Sequence, residues 1–311
     1  MYKLVFDIGA SNVKFAVMTN EGEILRRRSV PTPRESLESY IDGLCALAEP
    51  ELDGADGIAI STNGRMYPDG NTYRAYTMDF LKGVNLKEVL EARLHLPVYI
   101  ENDGLAATLG ECWKGAACGE KNVLGIVLGS ALGSGLVLNG KPYRGSKRNA
   151  AMVFGQLSGA DTEKEKYTIG GLTTAFLLVL YLTAVHKGMQ PGSITGPQLF
   201  ELEAQGDPVA CAMLENYYRS IAVMIYDCSA MLDLDCVVLT GGLSAQPSLV
   251  EGVRRNVKRI VEKGLHPEGI DFSSVGVSID PKDFEFDIRA GELALDANLY
   301  GALYHALYEE A

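Results

Sequence analysis

Three polar residues in a row, Glu101-Asn102-Asp103, follow the β-type run Leu96-Pro97-Val98-Tyr99-Ile100. A helical pattern starts directly behind them with Leu105, Ala106 and Leu109. This puts Asp103 at the N-cap or in the first turn of a helix. The positive end of a helix keeps a carboxylate ionised, and open α/β sheets place their ligands at such strand ends. An ionised carboxylate there can take the proton of a substrate hydroxyl. Asp103 is therefore read as a general base, and Asn102 as an amide that holds substrate. A plain capping pair would also account for these two residues, so the rest of the chain has to decide.

Phosphate-binding elements are the next requirement. Residues 3–8 form an apolar strand that carries Asp7 near its end and passes into the small-residue turn Gly9-Ala10-Ser11. Val13, Phe15 and Val17 then alternate with Asn12, Lys14 and Ala16, and a third strand covers 23–29. A turn without bulky side chains lets phosphate approach the backbone N–H groups. Asp7 is suited to hold magnesium, directly or through water.

The pattern recurs. An apolar strand at 123–128 leads into the glycine-rich turn Gly129-Ser130-Ala131-Leu132-Gly133-Ser134-Gly135, the strand Leu136-Val137-Leu138 and the hairpin turn Asn139-Gly140. This repeat predicts two related domains, each with a phosphate-facing hairpin. A third glycine turn, Gly241-Gly242-Leu243-Ser244, follows the buried-type strand Cys236-Val237-Val238-Leu239-Thr240. It suits the flat or phosphorylated parts of a nucleotide.

The remaining elements position these turns. Helical spacing covers 37–47, 86–94, a stretch from Asp103 through Trp113, 167–187, 208–232, 249–263 and 292–308. A short strand at 57–60 precedes the polar turn Ser61-Thr62-Asn63-Gly64, and a long loop without structure of its own spans 65–83. A last strand is expected at 275–279.

Composition narrows the function classes. The 311 residues suffice for about two domains, and 47% are hydrophobic, enough for a core in each. A formal net charge of −12 argues against nucleic acid or an anionic membrane as the main partner. No signal peptide is visible, and the longest apolar run, 172–185, is too short to span a bilayer. Six cysteines lack any CxxC pair or nearby histidine partners, which predicts a reduced, cytoplasmic protein without structural metal.

Phosphoryl transfer needs donors around the phosphates, a magnesium ion, an aligned hydroxyl and a carboxylate. The three turns, Asp7 and Asp103 supply that set. A P-loop, a nucleophile elbow and a metalloprotease helix are all missing from the sequence.

With these residues assembled, the chain resembles the ROK sugar kinases and repressors of the actin-like (ribonuclease H-like) ATPase superfamily. The resemblance rests on Phe6-Asp7-Ile8-Gly9-Ala10-Ser11, on Pro97 through Asp103, and on Leu128 through Gly135 with Asn139-Gly140-Lys141-Pro142-Tyr143-Arg144-Gly145. Leu239-Thr240-Gly241-Gly242-Leu243-Ser244 and Asp296-Ala297-Asn298-Leu299-Tyr300-Gly301-Ala302 complete it. Residues 80–87, Phe-Leu-Lys-Gly-Val-Asn-Leu-Lys, are similar to the β-glucoside kinase and N-acetylmannosamine kinase branches.

The resemblance implies an α/β fold with two related domains around a cleft. Residues 1–117 with the returning helix 292–311 form the first domain, and 118–291 the larger second. It implies ATP and magnesium as cofactors, a small-molecule sugar as partner, and a homodimer. Asp103 would be the base, and Asn102, Asn63 and Gly64 would contact the sugar. Gly9, Ala10, Ser11 and Lys14 with Gly129, Ser130, Gly133 and Gly135 would lie at the phosphates. Gly241, Gly242 and Leu243 would lie at the adenosine.

Three departures stand out. The family's cysteine-rich zinc motif is replaced by Ala160-Asp161-Thr162-Glu163-Lys164. Its Gly-Glu-Phe/Ile-Gly-His segment reads Met152-Val153-Phe154-Gly155-Gln156, so the sugar-binding glutamate becomes Val153 and the zinc histidine becomes Gln156. Ser130-Ala131 stands where Thr-Gly is usual. The expectation is an ATP-dependent sugar kinase acting on O6 of a hexose, N-acetylhexosamine or β-glucoside, without zinc and with altered sugar preference. The alternative is a non-catalytic sugar sensor on the same scaffold, but such a sensor is expected to have lost Asp7 or Asp103.

Overall fold

The structure is a computed structural model; it describes residues 1–66, 72–74, 78–129, 132–148, 150–151, 176–263 and 286–308. The chain opens as the expected antiparallel meander: β1 (Tyr2–Ile8), β2 (Asn12–Thr19) and β3 (Ile24–Pro31). Helix α1 (Leu37–Ala48) starts at a capping box between Ser36 and Ser39. It leads into β4 (Ala55–Thr62), which pairs parallel to β1. β4 is longer than its apolar centre predicts. Ser61 and Thr62 are strand residues with no exposed surface, because the strand continues into the protein interior rather than turning at its polar end. The expected long loop also has structure. β5 (Arg65–Met66) and β6 (Thr72–Arg74) pair, and Asp79–Leu81 form a 3-10 turn.

Helix α2 (Leu86–Leu94), capped by Asn85, precedes β7 (Val98–Asn102), which lies parallel to β4. The first sheet runs β3-β2-β1-β4-β7. Helix α3 (Asp103–Lys114) follows β7 with no intervening loop.

The repeat is real. β8 (Val123–Leu128), β9 (Leu132–Leu138) and β10 (Lys141–Pro142) make a second meander, with Asn139 and Gly140 both at positive φ in the hairpin. Then come α4 (Phe176–His186), α5 (Gly196–Ala204) and α6 (Pro208–Leu232). β11 (Cys236–Thr240), α7 (Pro247–Lys263), β12 (Asp287–Ala290) and α8 (Ala297–Tyr308) close the chain. The second sheet runs β10-β9-β8-β11-β12, the same order of meander plus two parallel strands.

Besides β5 and β6, two further elements escape the sequence pattern. α5 announces itself only through the capping box between Thr195 and Gln198. β12 is a partly exposed edge strand, Asp-Ile-Arg-Ala, without apolar alternation. The terminal helix begins at Ala297 rather than 292, after a 3-10 turn at Ala294–Asp296. The strand expected at 275–279 and the segment 167–175 lie outside the described residues.

Two helices stand between the sheets. α8 buries Leu299, Ala302, Leu303 and Ala306 against Val5, Ala16, Met18 and Ala59 of the first sheet. α3 buries Leu105 and Leu109 against Val123, Val137 and Val238 of the second. α3 and α8 also pack on each other, and a Cβ at Gly301 would come 1.5 Å from the Ala106 carbonyl oxygen. Among the described residues, no helix is long and apolar enough to cross a membrane.

Candidate functional site

Parallel pairing brings three strand ends together. Asp7 lies opposite Ser61, and Ser61 opposite Glu101, while Ile8, Thr62 and Asn102 form the next row. The sheet therefore delivers Asp7 and the start of α3 to one edge.

Asn102 is the N-cap of α3, and Asp103 is its first helical residue. The Asn102 side-chain oxygen accepts from the Gly104 and Leu105 N–H groups at 3.0 and 3.3 Å. Its amide nitrogen donates to the Gly64 carbonyl at 2.8 Å and to Asp103 Oδ1 at 3.0 Å. The amide is thus spent on holding Gly64 and the carboxylate. Asp103 Oδ1 also accepts from the Gly104 N–H at 2.9 Å. Part of the Asp103 side chain opens to solvent. Even so, burial pushes its carboxyl from 3.8 up to about 6, against the pull of the Gly104 and Asn102 bonds and with help from the nearby Asp7 charge. The helix end does not win here. Desolvation outweighs it, which makes Asp103 a stronger base than a surface aspartate.

Asp7 is buried and its carboxyl is also raised, burial being the largest cause, with Lys14 opposing it. Lys14, its cross-strand partner, bonds Asp7 Oδ2 at 2.9 Å and the Leu295 carbonyl at 2.7 Å. Asn298 at the start of α8 donates to Ser61 Oγ and to the Asp103 carbonyl, both at 3.0 Å. Asp7, paired with Lys14 and close enough to Asp103 for the two charges to interact, is a carboxylate at which a further cation would be held. Magnesium typically takes one or two carboxylates and completes its shell with water and phosphate oxygens. Asp7 is the residue that would hold it.

The second hairpin meets this edge. A Cβ on Gly104 would come within 2.5 Å of the Ser134 carbonyl oxygen. The start of α3 therefore lies directly on β9. This corrects the extent of the glycine-rich turn, because Gly133 and Gly135 are strand residues paired with Val127 and Gly125. A Cβ at Gly135 would come 2.7 Å from the Leu105 Cα, so helix packing accounts for that glycine. Gly129 remains at the turn, and Ser130 lies outside the described residues.

Gly241, at φ 89°, adjoins the Leu128 backbone at the neighbouring strand end, and Gly242 and Leu243 follow in a 3-10 turn. On the first hairpin, the Gly9 N–H is closed onto the Asn12 carbonyl at 3.0 Å, with Ala10 and Ser11 at the tip. Val153 and Gln156 lie outside the described residues, as does the segment 160–164.

One feature carried no sequence signal of its own. Buried Glu101 accepts from Arg144 Nε and Nη2 at 2.8 and 2.6 Å, with Arg148 at 4.0 Å. These residues line a shallow cleft with Asn102, Ser134 and Tyr143. Arg144 lies 43 positions from its partner, and no local period connects them.

The comparisons with known proteins bear on the same residues. The ROK family model matches residues 4–154 and 179–276, more than half of the chain. The N-acetyl-D-glucosamine kinase of Citrobacter koseri is 29% identical over 261 residues, covering 77% of this chain and 83% of that protein. The Lmo2764 protein of Listeria monocytogenes, described as a candidate N-acetylmannosamine kinase, superimposes with a TM-score of 0.83 at 25% identity and full coverage of both chains. A ROK family protein from Streptococcus pneumoniae, solved with sucrose, gives 0.80 at 25% identity, covering 100% of this chain and 99% of that one.

Proposed function

The chain belongs to the ROK family, and from that premise we propose that it is an ATP-dependent sugar kinase that phosphorylates O6 of an N-acetylhexosamine or a related hexose or β-glucoside, with Asp103 as general base. The observation that carries this reading is Asp103 itself. It is fixed by Asn102 and Gly104, raised to about 6, and set beside Asp7 and the start of β9.

The chain's residues divide the work. Asp103 accepts the proton of the attacking hydroxyl. Asn102 holds the carboxylate in one rotamer and ties Gly64, next to Asn63, to the same edge, so those two would frame the sugar. With the Gly9 N–H committed to Asn12, the N–H groups of Ala10 and Ser11 at the hairpin tip and those around Gly129 would receive phosphate oxygens, and Lys14 balances Asp7. Gly241 to Leu243 would lie along the adenosine. Magnesium held by Asp7 would neutralise charge on the phosphates. Domain limits of 1–117 with 292–311, and 118–291, would place Asp7 and Gly129 on opposite sides of the cleft.

The names of the curated relatives favour N-acetylhexosamines as first substrates to try. A coupled assay of ADP release over hexoses, N-acetylhexosamines and β-glucosides tests the proposal. Sugar-dependent ADP release with at least one of them is expected. None with any, from folded protein, would overturn it.

A further inference from the structure

Glu111 has no exposed surface and sits in the last full turn of α3. Four donors converge on its carboxylate. Oε2 accepts from the Ala116 and Glu292 N–H groups, each at 3.0 Å. Oε1 accepts from the Leu293 N–H at 3.1 Å and the Thr240 hydroxyl at 3.2 Å. A buried carboxylate with this many partners is held tightly, because losing one donor leaves charge uncompensated away from water.

The partners are informative by their place in the chain. Thr240 ends β11 and immediately precedes Gly241. Glu292 and Leu293 belong to the segment that leaves β12 and enters α8. α3 is the other covalent passage between the two sheets. Both crossings and the glycine-turn strand are thus joined at one carboxylate.

The same two crossings end at the acidic edge. Asp103 begins α3, eight positions from Glu111, roughly 12 Å along a rigid helix. In the 291–298 segment, the Leu295 carbonyl accepts from Lys14, the partner of Asp7, and the Asn298 amide donates to Ser61 Oγ and to the Asp103 carbonyl.

We infer that Glu111 is a positioning residue that couples the Gly241-Gly242 turn to the placement of Asp7 and Asp103. The inference rests on the kinase reading above, in which that turn lies at the adenosine. A nucleotide seated there shifts or stiffens Thr240, and the buried carboxylate passes the change to α3 and to the 291–298 segment. Sugar-side geometry then depends on nucleotide occupancy even before the sugar hydroxyl meets the terminal phosphate.

The test uses the full-length wild type, Thr240→Val and Glu111→Gln, each saturated with magnesium and a non-hydrolysable β,γ-imido ATP analogue. Thr240→Val is the milder change, since it removes one donor and leaves three amides on the carboxylate. Calorimetry reports nucleotide binding, and hydrogen exchange reports the amides of residues 104–106. In the wild type the analogue should slow exchange there by about fivefold or more. In both variants the analogue should still bind, and the slowing should be mostly lost. Unchanged slowing in the folded, nucleotide-bound Thr240→Val protein overturns the inference, as does its absence in the nucleotide-bound wild type. A wild type that binds no nucleotide would instead refute the kinase reading, and the calorimetric trace separates that case from the others.

Discussion

Asp103→Asn should make the protein more stable and nearly inactive at the same pH. The carboxyl is raised from 3.8 to about 6, chiefly by burial. That difference corresponds to about 3 kcal/mol in favour of the protonated form. Residual exposure admits solvent screening, so about 1 to 2 kcal/mol is the realistic cost of the charged form. The folded state therefore binds this proton more tightly than the unfolded chain does. Above pH 6 both states are ionised and the folded state carries the whole cost. Below 3.8 both are protonated and the cost is gone. Asparagine removes it, so the variant's advantage should be full at pH 8 and fade between pH 6 and 4. Denaturant unfolding of both proteins in EDTA, at pH 8 and pH 4, measures this. Turnover at pH 8 should fall by about 10²-fold or more, with sugar and nucleotide binding nearly intact. In the wild type, kcat/KM should drop about tenfold per pH unit below 6, as the base becomes protonated. Turnover within a few-fold of wild type, or a stability gain as large at pH 4 as at pH 8, would refute the reasoning.

Other outcomes can be checked singly. Gly301→Ala places a Cβ 1.5 Å from the Ala106 carbonyl oxygen and should destabilise by about 1–3 kcal/mol or more, read as a lower Tm; an unchanged Tm would mean that α3 and α8 separate at no cost. Val153→Glu should shift preference toward a sugar bearing a bare hydroxyl by roughly 10- to 150-fold, the size of one charged hydrogen bond, and a kinetic panel with no change in ranking would count against it. Elemental analysis of dialysed, untagged protein should find no stoichiometric zinc, since Gln156 stands where the family has a histidine. Solution scattering should show compaction on adding both ATP analogue and sugar.

What the sequence made legible follows from the range of each interaction. Strands β1, β2, β8 and β11 are short apolar or alternating runs, and their period is local. The Asp7 and Asp103 positions were readable because each sits where a strand meets a turn or helix. Residue identities alone could not assign Asn102's amide, which is committed to Gly64 and Asp103. The extent of the second glycine turn was misjudged for a related reason. Gly133 and Gly135 look like turn residues by type, yet Gly135 is glycine because α3 lies on it. The pairs Glu101–Arg144 and Glu111–Thr240 span 43 and 129 positions, and only the fold brings them together.

The repeated sheet brings two strand edges to the start of α3. Each half ends its parallel strands at the site, but the two edges differ in chemistry. The first edge carries side chains with charge: Asp7, Lys14 and Asp103. The second carries backbone turned by glycine at Gly129 and Gly241. Carboxylates repel phosphate, and N–H groups attract it. In the proposed reaction, acids concentrated on the first edge would leave the second edge's amides free of like charge, so that a hydroxyl would lie against Asp103 with phosphate held mainly opposite. Burial is the largest cause of the raised Asp103 carboxyl, and β9 packs directly onto the neighbouring Gly104.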